Sequence, residues 1–464
     1  MVHLPPEVLS DICSCLVITP RPCPTHRDVI GDPPRPSGFT AEDQLNLRTM
    51  LNISLASAPL HQAVKPYLYR TITPPMTVSK SLLRALLVSA TARLVRNLST
   101  DNWISAPDER YYQGPLPHAL VDAAVSNRGL SDDLINDIQR GIPHGRADAL
   151  LSILLLLCTN LCAWMTSFER DGSDSLVVRT VSQAIASNSV LQHLQDFTLT
   201  FAIDDDVASL WELSPVFDAP RLREIRGIGI HLYNDGSGDF SNTPHPNIRQ
   251  ILLAISSINV DVDGLDILLR GCDSLETLST EFGGPNEDIQ PVDDYSSLGH
   301  ALRHHGTNLL RLSIRRSELD NDQERHRTPL GGLAELTSLR VLNLSFEALH
   351  GDETQLNNRP TTWLQENLPH SLELLSVMHV MHSASQMLDE HLRELMNDIR
   401  FSALHTVRVL DEEEDGGFSD EEDEDFSEDE DENFSEDEHL PSDVALEDFQ
   451  RQLANYQRML DRRT

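Results

Sequence analysis

Along most of the chain, apolar residues recur as apolar-x-x-apolar-x-apolar, a short alternation led by one residue three places upstream. The pattern is clear at Leu194/Phe197/Leu199, Ile255/Ile258/Val260, Leu309/Leu312/Ile314, Leu339/Leu342/Leu344, Leu372/Leu375/Val377 and Leu404/Val407/Val409. Weaker copies start at Val95, Leu161, Leu222 and Leu275. From Leu161 onward the starts are 33, 28, 33, 20, 34, 30, 33 and 32 residues apart. Alternation of period two predicts a strand with one buried face. Helical spacing precedes several of these signals: Val177/Val181/Ala184/Ile185 before Leu194, Ile248/Ile251/Leu252 before Ile255, and Leu298/Leu302 before Leu309. Helix then strand, repeated near thirty residues, predicts a parallel α/β solenoid over residues 82–410. A two-layer α/β domain with one open sheet is the competing architecture. Residues 101–147 fit no repeat and read as a polar excursion, as do 233–246 and 283–295.

The first 72 residues carry a different pattern. Leu4, Val8, Ile12 and Leu16 fall four apart and predict one apolar stripe on a short helix, with Pro5, Pro6 and Glu7 suited to its first turn. Leu47, Leu51 and Leu55 mark a second stripe. Leu60, Ala63, Val64, Tyr67 and Leu68 mark a third, whose rhythm is expected to break at Lys65 because Pro66 restricts the residue before it. Three helices this short bury little of their own apolar surface, which leaves some for a partner. Residues 19–43, with six prolines, separate the first two as a solvated insert.

The order of Leu4, Pro5, Glu7, Val8, Ile12 and Leu16, then Leu51, Leu55, Ser57, Leu60 and Lys65-Pro66-Tyr67-Leu68-Tyr69-Arg70, resembles an F-box of the form common among fungal F-box proteins. The downstream pattern resembles the degenerate leucine-rich repeats that follow many F-boxes, although the Asn that closes a regular repeat is mostly missing. Two further departures are Ala56, where the family has Val, and Ala58-Pro59-Leu60, which replaces a basic pair followed by an aromatic. The resemblance implies docking onto a Skp-type adaptor and, through it, a cullin-RING ubiquitin ligase. Its adaptor-binding positions are Leu4, Pro5, Val8, Ile12, Leu16, Leu51, Leu55 and Leu60. A target protein would then be held by the repeats.

On an alternating strand, the residues between the buried ones face the other way. Stacking turns them into a ladder on the concave face: Asp196, Thr198 and Thr200; Thr277, Ser279 and Glu281; Arg311, Ser313 and Arg315; Val341, Asn343 and Ser345; Leu374, Ser376 and Met378. Arg311 and Arg315, with Ser313 and Asn343, meet Leu374 and Met378 as a basic spot beside an apolar one. That pairing suits an acidic or phosphorylated target segment.

Charge sharpens this picture. The formal charge of −37 is uneven, because residues 411–438 hold 19 Asp and Glu and no Lys or Arg. This segment predicts disorder, and it is a competing ligand for the arginines. Ser419, Ser427 and Ser435 each precede acidic residues, a context that favours phosphorylation by acidophilic kinases. Beyond it, Leu446, Phe449, Leu453, Tyr456 and Leu460 predict an amphipathic helix over residues 442–463, expected to pack against the last repeat. An acidic chain argues against nucleic acid as a partner. The apolar run 149–165, interrupted at Thr159-Asn160, falls short of a membrane span, and an intracellular place in cytoplasm or nucleus is the expectation. The six cysteines form no Cys-x-x-Cys pair, so neither zinc nor any other cofactor is expected. Asn259-Val260-Asp261-Val262-Asp263-Gly264 imitates a calcium loop but reaches Arg270 where a bidentate Glu is required. No catalytic motif is present. Two functions follow: a ligase substrate-recognition subunit, or a non-catalytic repeat scaffold or acidic chaperone-like binder with a vestigial F-box.

Overall fold

A computed structural model describes residues 41–72, 86, 91–100, 118–126, 128–144, 146–168, 175–201, 214–228, 244–256, 262–282, 295–316, 328–351, 359–380 and 382–411. The first expected helix, most of the proline-rich insert, the acidic segment and the C-terminal stripe lie outside the described residues.

Two helices open the described chain, α1 (Ala41–Ala56) and α2 (Ala58–Leu68). Ser57 separates them and caps α2, its hydroxyl accepting from the Leu60 N–H. Pro66 does not end α2 as expected. The helix runs through it to Leu68, because Pro66 removes only one N–H so near the end. Met50 and Val64 form a small core between the two helices, separate from the main one.

The strands are β1 (Thr71–Ile72), β2 (Asn97–Thr100), β3 (Ala163–Phe168), β4 (Asp196–Phe201), β5 (Glu224–Ile228) and β6 (Gln250–Ser256). They continue as β7 (Thr277–Phe282), β8 (Arg311–Arg316), β9 (Val341–Ser345), β10 (Leu374–Val380) and β11 (Thr406–Asp411). All eleven form one sheet in sequence order, and each neighbouring pair is parallel. Between them lie α3 (His118–Val125), α4 (Asp132–Gly141), α5 (Ala147–Leu157), α6 (Leu176–Ala186) and α7 (Ser214–Phe217). Then come α8 (Val262–Gly271), α9 (Tyr295–His305), α10 (Phe346–His350), α11 (Trp363–Asn367) and α12 (His382–Asn397). This is a parallel α/β array of the solenoid type, and sequential strand order is what a winding coil produces.

The register stacks one residue of each strand into a continuous apolar spine: Leu98, Trp164, Phe197, Ile225, Ile251, Leu278, Leu312, Leu342 and Leu375, each at most 1 % exposed. The turn ahead of each strand is also repeated. The N–H of Val95, Leu161, Leu194, Leu222, Ile248, Leu275, Leu309, Leu339, Leu372 and Leu404 donates in every case to the carbonyl three residues back. The next carbonyl along, from Arg96 to Glu373, accepts two N–H groups from the following rung; Arg223, for example, accepts from Arg249 and Gln250.

Three expectations are corrected. The sixth rung is not Ile255/Ile258/Val260 but Ile248/Ile251/Leu253, seven residues earlier, and Ile248–Leu252 is strand and turn rather than helix. The run Ile251-Leu252-Leu253-Ala254-Ile255 is uniformly apolar, so two registers fit its pattern, and stacking selects the one whose starts lie 26 residues after Leu222 and 27 before Leu275. The apolar motif of each rung is also longer than expected, because the residue whose carbonyl accepts in the turn is itself a core position: Cys158, Leu191, Ala219, Cys272, Leu336 and Phe401 are all buried. Finally, the described part of 101–147 is not a polar excursion. Helices α3 and α4 bury Val121, Leu134 and Ile138 in the main core, with Ser131 capping α4.

Face alternation is testable within one strand. Leu344 is fully buried and Asn343 beside it is half-exposed on the opposite face. Leu344→Ala is expected to lower stability by about 2–5 kcal/mol and Asn343→Ala by less than about 0.5 kcal/mol, measured as urea midpoints.

Candidate functional site

The face of the sheet opposite the helices is built from the alternate residues. One row reads Asp196, Glu224, Gln250, Thr277, Arg311, Val341, Leu374 and Thr406 in register; the next reads Thr198, Arg226, Leu252, Ser279, Ser313, Asn343, Ser376 and Arg408. None of these side chains belongs to the main core. This is the face expected from sequence to be concave.

Its middle is electrostatically self-satisfied. The Arg226 guanidinium pairs with Glu224, and both are largely buried. Burial and the Glu224 charge raise the pKa of Asp196, partly offset by Arg226 and Arg223.

The C-terminal third differs. Arg311 is exposed and makes no ion pair or hydrogen bond among the described residues, and the same holds for Arg408. Three strand steps and an offset of two residues separate them, about 16 Å at a strand spacing of about 4.8 Å and a rise of about 3.3 Å. Between them in the first row lie the half-buried Val341 and Leu374, and Leu310 beside Arg311 is 37 % exposed. Two guanidinium groups with no partner among the described residues thus flank an apolar strip. That arrangement can hold a segment with acidic groups at two points and an apolar centre.

The other expected residues fall as follows. Ser313 is 6 % exposed among its neighbours, with no partner for its hydroxyl among the described residues, and Asn343 is half-exposed. Arg315 is half-buried, and its backbone is in register with Glu281. Met378 is 6 % exposed and Ser345 fully buried, contrary to expectation. The reason is local: Ser345 ends β9 and at once caps α10, accepting from the Ala348 N–H, and this helix packs over β9 and β10. Arg408 lies one strand beyond the rows read from sequence, although Val407 and Val409 carry the same alternation signal. Of the expected adaptor positions, Leu51 is buried, Leu60 half-buried and Leu55 47 % exposed. Leu4, Pro5, Val8, Ile12 and Leu16, and likewise Ser419, Ser427 and Ser435, lie outside the described residues.

Comparison with protein-family models matches no family, and comparison with curated proteins finds no relative. Among the described residues no helix is long and apolar enough to cross a membrane.

Behind this face the helical layer holds a buried aromatic cluster. The His350 ring, fully buried, lies 5.5 Å from Phe346, 5.0 Å from Trp363 and 5.8 Å from His391. Neither His350 ring nitrogen, nor Nδ1 of His391, has a hydrogen-bond partner among the described residues. Burial, with the nearby Arg359 and His391, pushes His350 down to about 3; His391 is lowered by burial and Arg359, with Glu390 opposing. Arg359 lies over the Trp363 ring, 4.0 Å from its centroid, and Glu347, on α10 with Phe346 and His350, is buried.

A histidine of depressed pKa takes up a proton on unfolding, so its neutral form supports the fold above about pH 6.5 and loses that support as pH falls toward 3. From pH 7 to pH 5 the loss is about 2 kcal/mol. Urea midpoints across this range should fall less for His350→Phe than for the wild type; equal slopes would contradict the burial of a neutral ring.

Proposed function

We propose that the chain is the substrate-recognition subunit of an SCF-type cullin-RING ubiquitin ligase, an F-box followed by irregular leucine-rich repeats. One observation carries this reading: α2 runs into the repeat sheet without a linker. The Arg70 carbonyl accepts from the Arg96 and Asn97 N–H groups, and β1 follows at Thr71. A helical pair with Leu45 and Leu55 exposed is therefore joined directly to an array with one open face. Such a body suits an adaptor at one end and a target on the face, held at a fixed distance. Leu45 and Leu55 on α1, with Leu4, Pro5, Val8 and Ile12, would form or support the adaptor surface, and Arg311, Arg408, Val341 and Leu374 would take the target. The strongly acidic composition favours the second reading, an acidic scaffold or chaperone-like binder, and adaptor retention separates the two.

The test is co-purification of a Skp-type adaptor with the tagged full chain. Leu55→Glu, at an exposed position that does not disturb the core, and the double change Leu4→Ala with Pro5→Ala should each abolish retention with circular dichroism unchanged. Full retention by both variants would refute the F-box reading.

Target capture should fall roughly tenfold or more for Arg311→Glu combined with Arg408→Glu, since hydrogen bonds to charged groups contribute about 1.5–3 kcal/mol each. Adaptor binding should stay intact. Capture that survives, both with and without residues 411–438, would move the target site off this face.

A further inference from the structure

The two ends of the array are unequal. At the first rung Tyr69 and Ile72 are buried. At the last rung the apolar positions lose their cover: Leu404, Val407 and Val409 are partly exposed, whereas Leu372, Leu375 and Val377, the same three positions one rung earlier, are fully buried. In the helix and turn that lead into this rung, Met396 is 60 % and Ile399 87 % exposed, two of the five exposed large hydrophobic residues among those described. In addition, among the described residues β11 pairs only with β10, so its outer edge has no strand partner there. An array that ends this way needs a cap.

We propose that residues 442–463 of the same chain fold back as a helix across this end and cover β11. The stripe Leu446, Phe449, Leu453, Tyr456 and Leu460 is a single apolar face that would otherwise stand in water. Its length fits: fifteen residues of helix from Leu446 to Leu460 span about 22 Å, and the six residues of β11 span about 20 Å. The tether fits as well. Thirty residues, 412–441, leave from the end of β11 and must return only to that same strand, a distance far shorter than their reach. The acidic segment becomes a loop anchored at both ends, next to the rung that carries Arg408. This inference goes beyond the ligase reading and does not depend on it.

Hydrogen exchange of the Thr406–Asp411 amides, followed by mass spectrometry, reads the cap. Removing residues 442–464 from the full chain should speed their exchange at least tenfold while β4–β8 stay protected. A synthetic 442–464 peptide added in trans should restore protection. It should fail to do so on a truncated chain that also carries Ile399→Glu. Should truncation loosen the whole sheet, Leu453→Glu in the full-length chain takes its place, with the same local effect expected. Exchange at β11 that is unchanged by both truncation and Leu453→Glu would overturn the proposal. So would a full-length dimer by light scattering that Ile399→Glu dissociates, since a second copy would then be the cover.

Discussion

The stacking of this chain rests on one backbone arrangement at the foot of each strand. A carbonyl oxygen has two lone pairs, and here a single carbonyl per rung uses both, accepting two consecutive N–H groups of the following rung. The turn just before it is closed by its own hydrogen bond three residues back. Leaving such a carbonyl unpaired in a buried position would cost about 1–3 kcal/mol, so a rung that slipped by one residue would lose both bonds and turn its apolar row outward. Register is therefore set by backbone and side chains together. The polar tip of the turn adds to this in three places: the amide groups of Asn160, Asn247 and Asn308 donate to the carbonyls of Arg93, Pro220 and Asp273, bridging each turn to the one before.

This constraint explains what was legible in the sequence and what was not. Positions that must be apolar for stacking announce themselves, so Leu309/Leu312/Ile314 and Leu339/Leu342/Leu344 give both strand and face. The same rule fails where apolar residues are in excess. In the run from Ile248 to Ile255 nothing local selects between two registers, and only the neighbouring rungs do. It also fails where the buried position accepts several residue types. The turn carbonyl three residues upstream belongs to Cys158, His245, Gly306 or Pro369 as readily as to Leu336, so no periodicity marks it. Cys158 and Cys272 are core residues for this reason; burial pushes both thiols up to about 12, which disfavours their thiolate forms near neutral pH.

The open face was legible to the same degree. Alternation assigns Arg311 and Arg408 to it without reference to any other rung. Burial on that face follows from neighbours instead, which a single strand does not reveal. Ser345 and Met378 alternate correctly yet are covered, because β9 passes into α10 without an intervening loop. Arg315 alternates correctly too, but its in-register neighbour is Glu281, thirty-four residues away in sequence.

Small side chains at the second open row, Ser279, Ser313 and Ser376, are buried among their neighbours. The chemistry of such a face lies in the few long side chains that stand above it. In the middle these are already paired, Arg226 with Glu224, so the two charges offer a partner little. Toward the C-terminus Arg311 and Arg408 have no such partner among the described residues. Because the scaffold is stacked backbone, changing Arg311 or Arg408 alters the charge of the face without altering how it is held. Function on such an array is separable from fold, rung by rung.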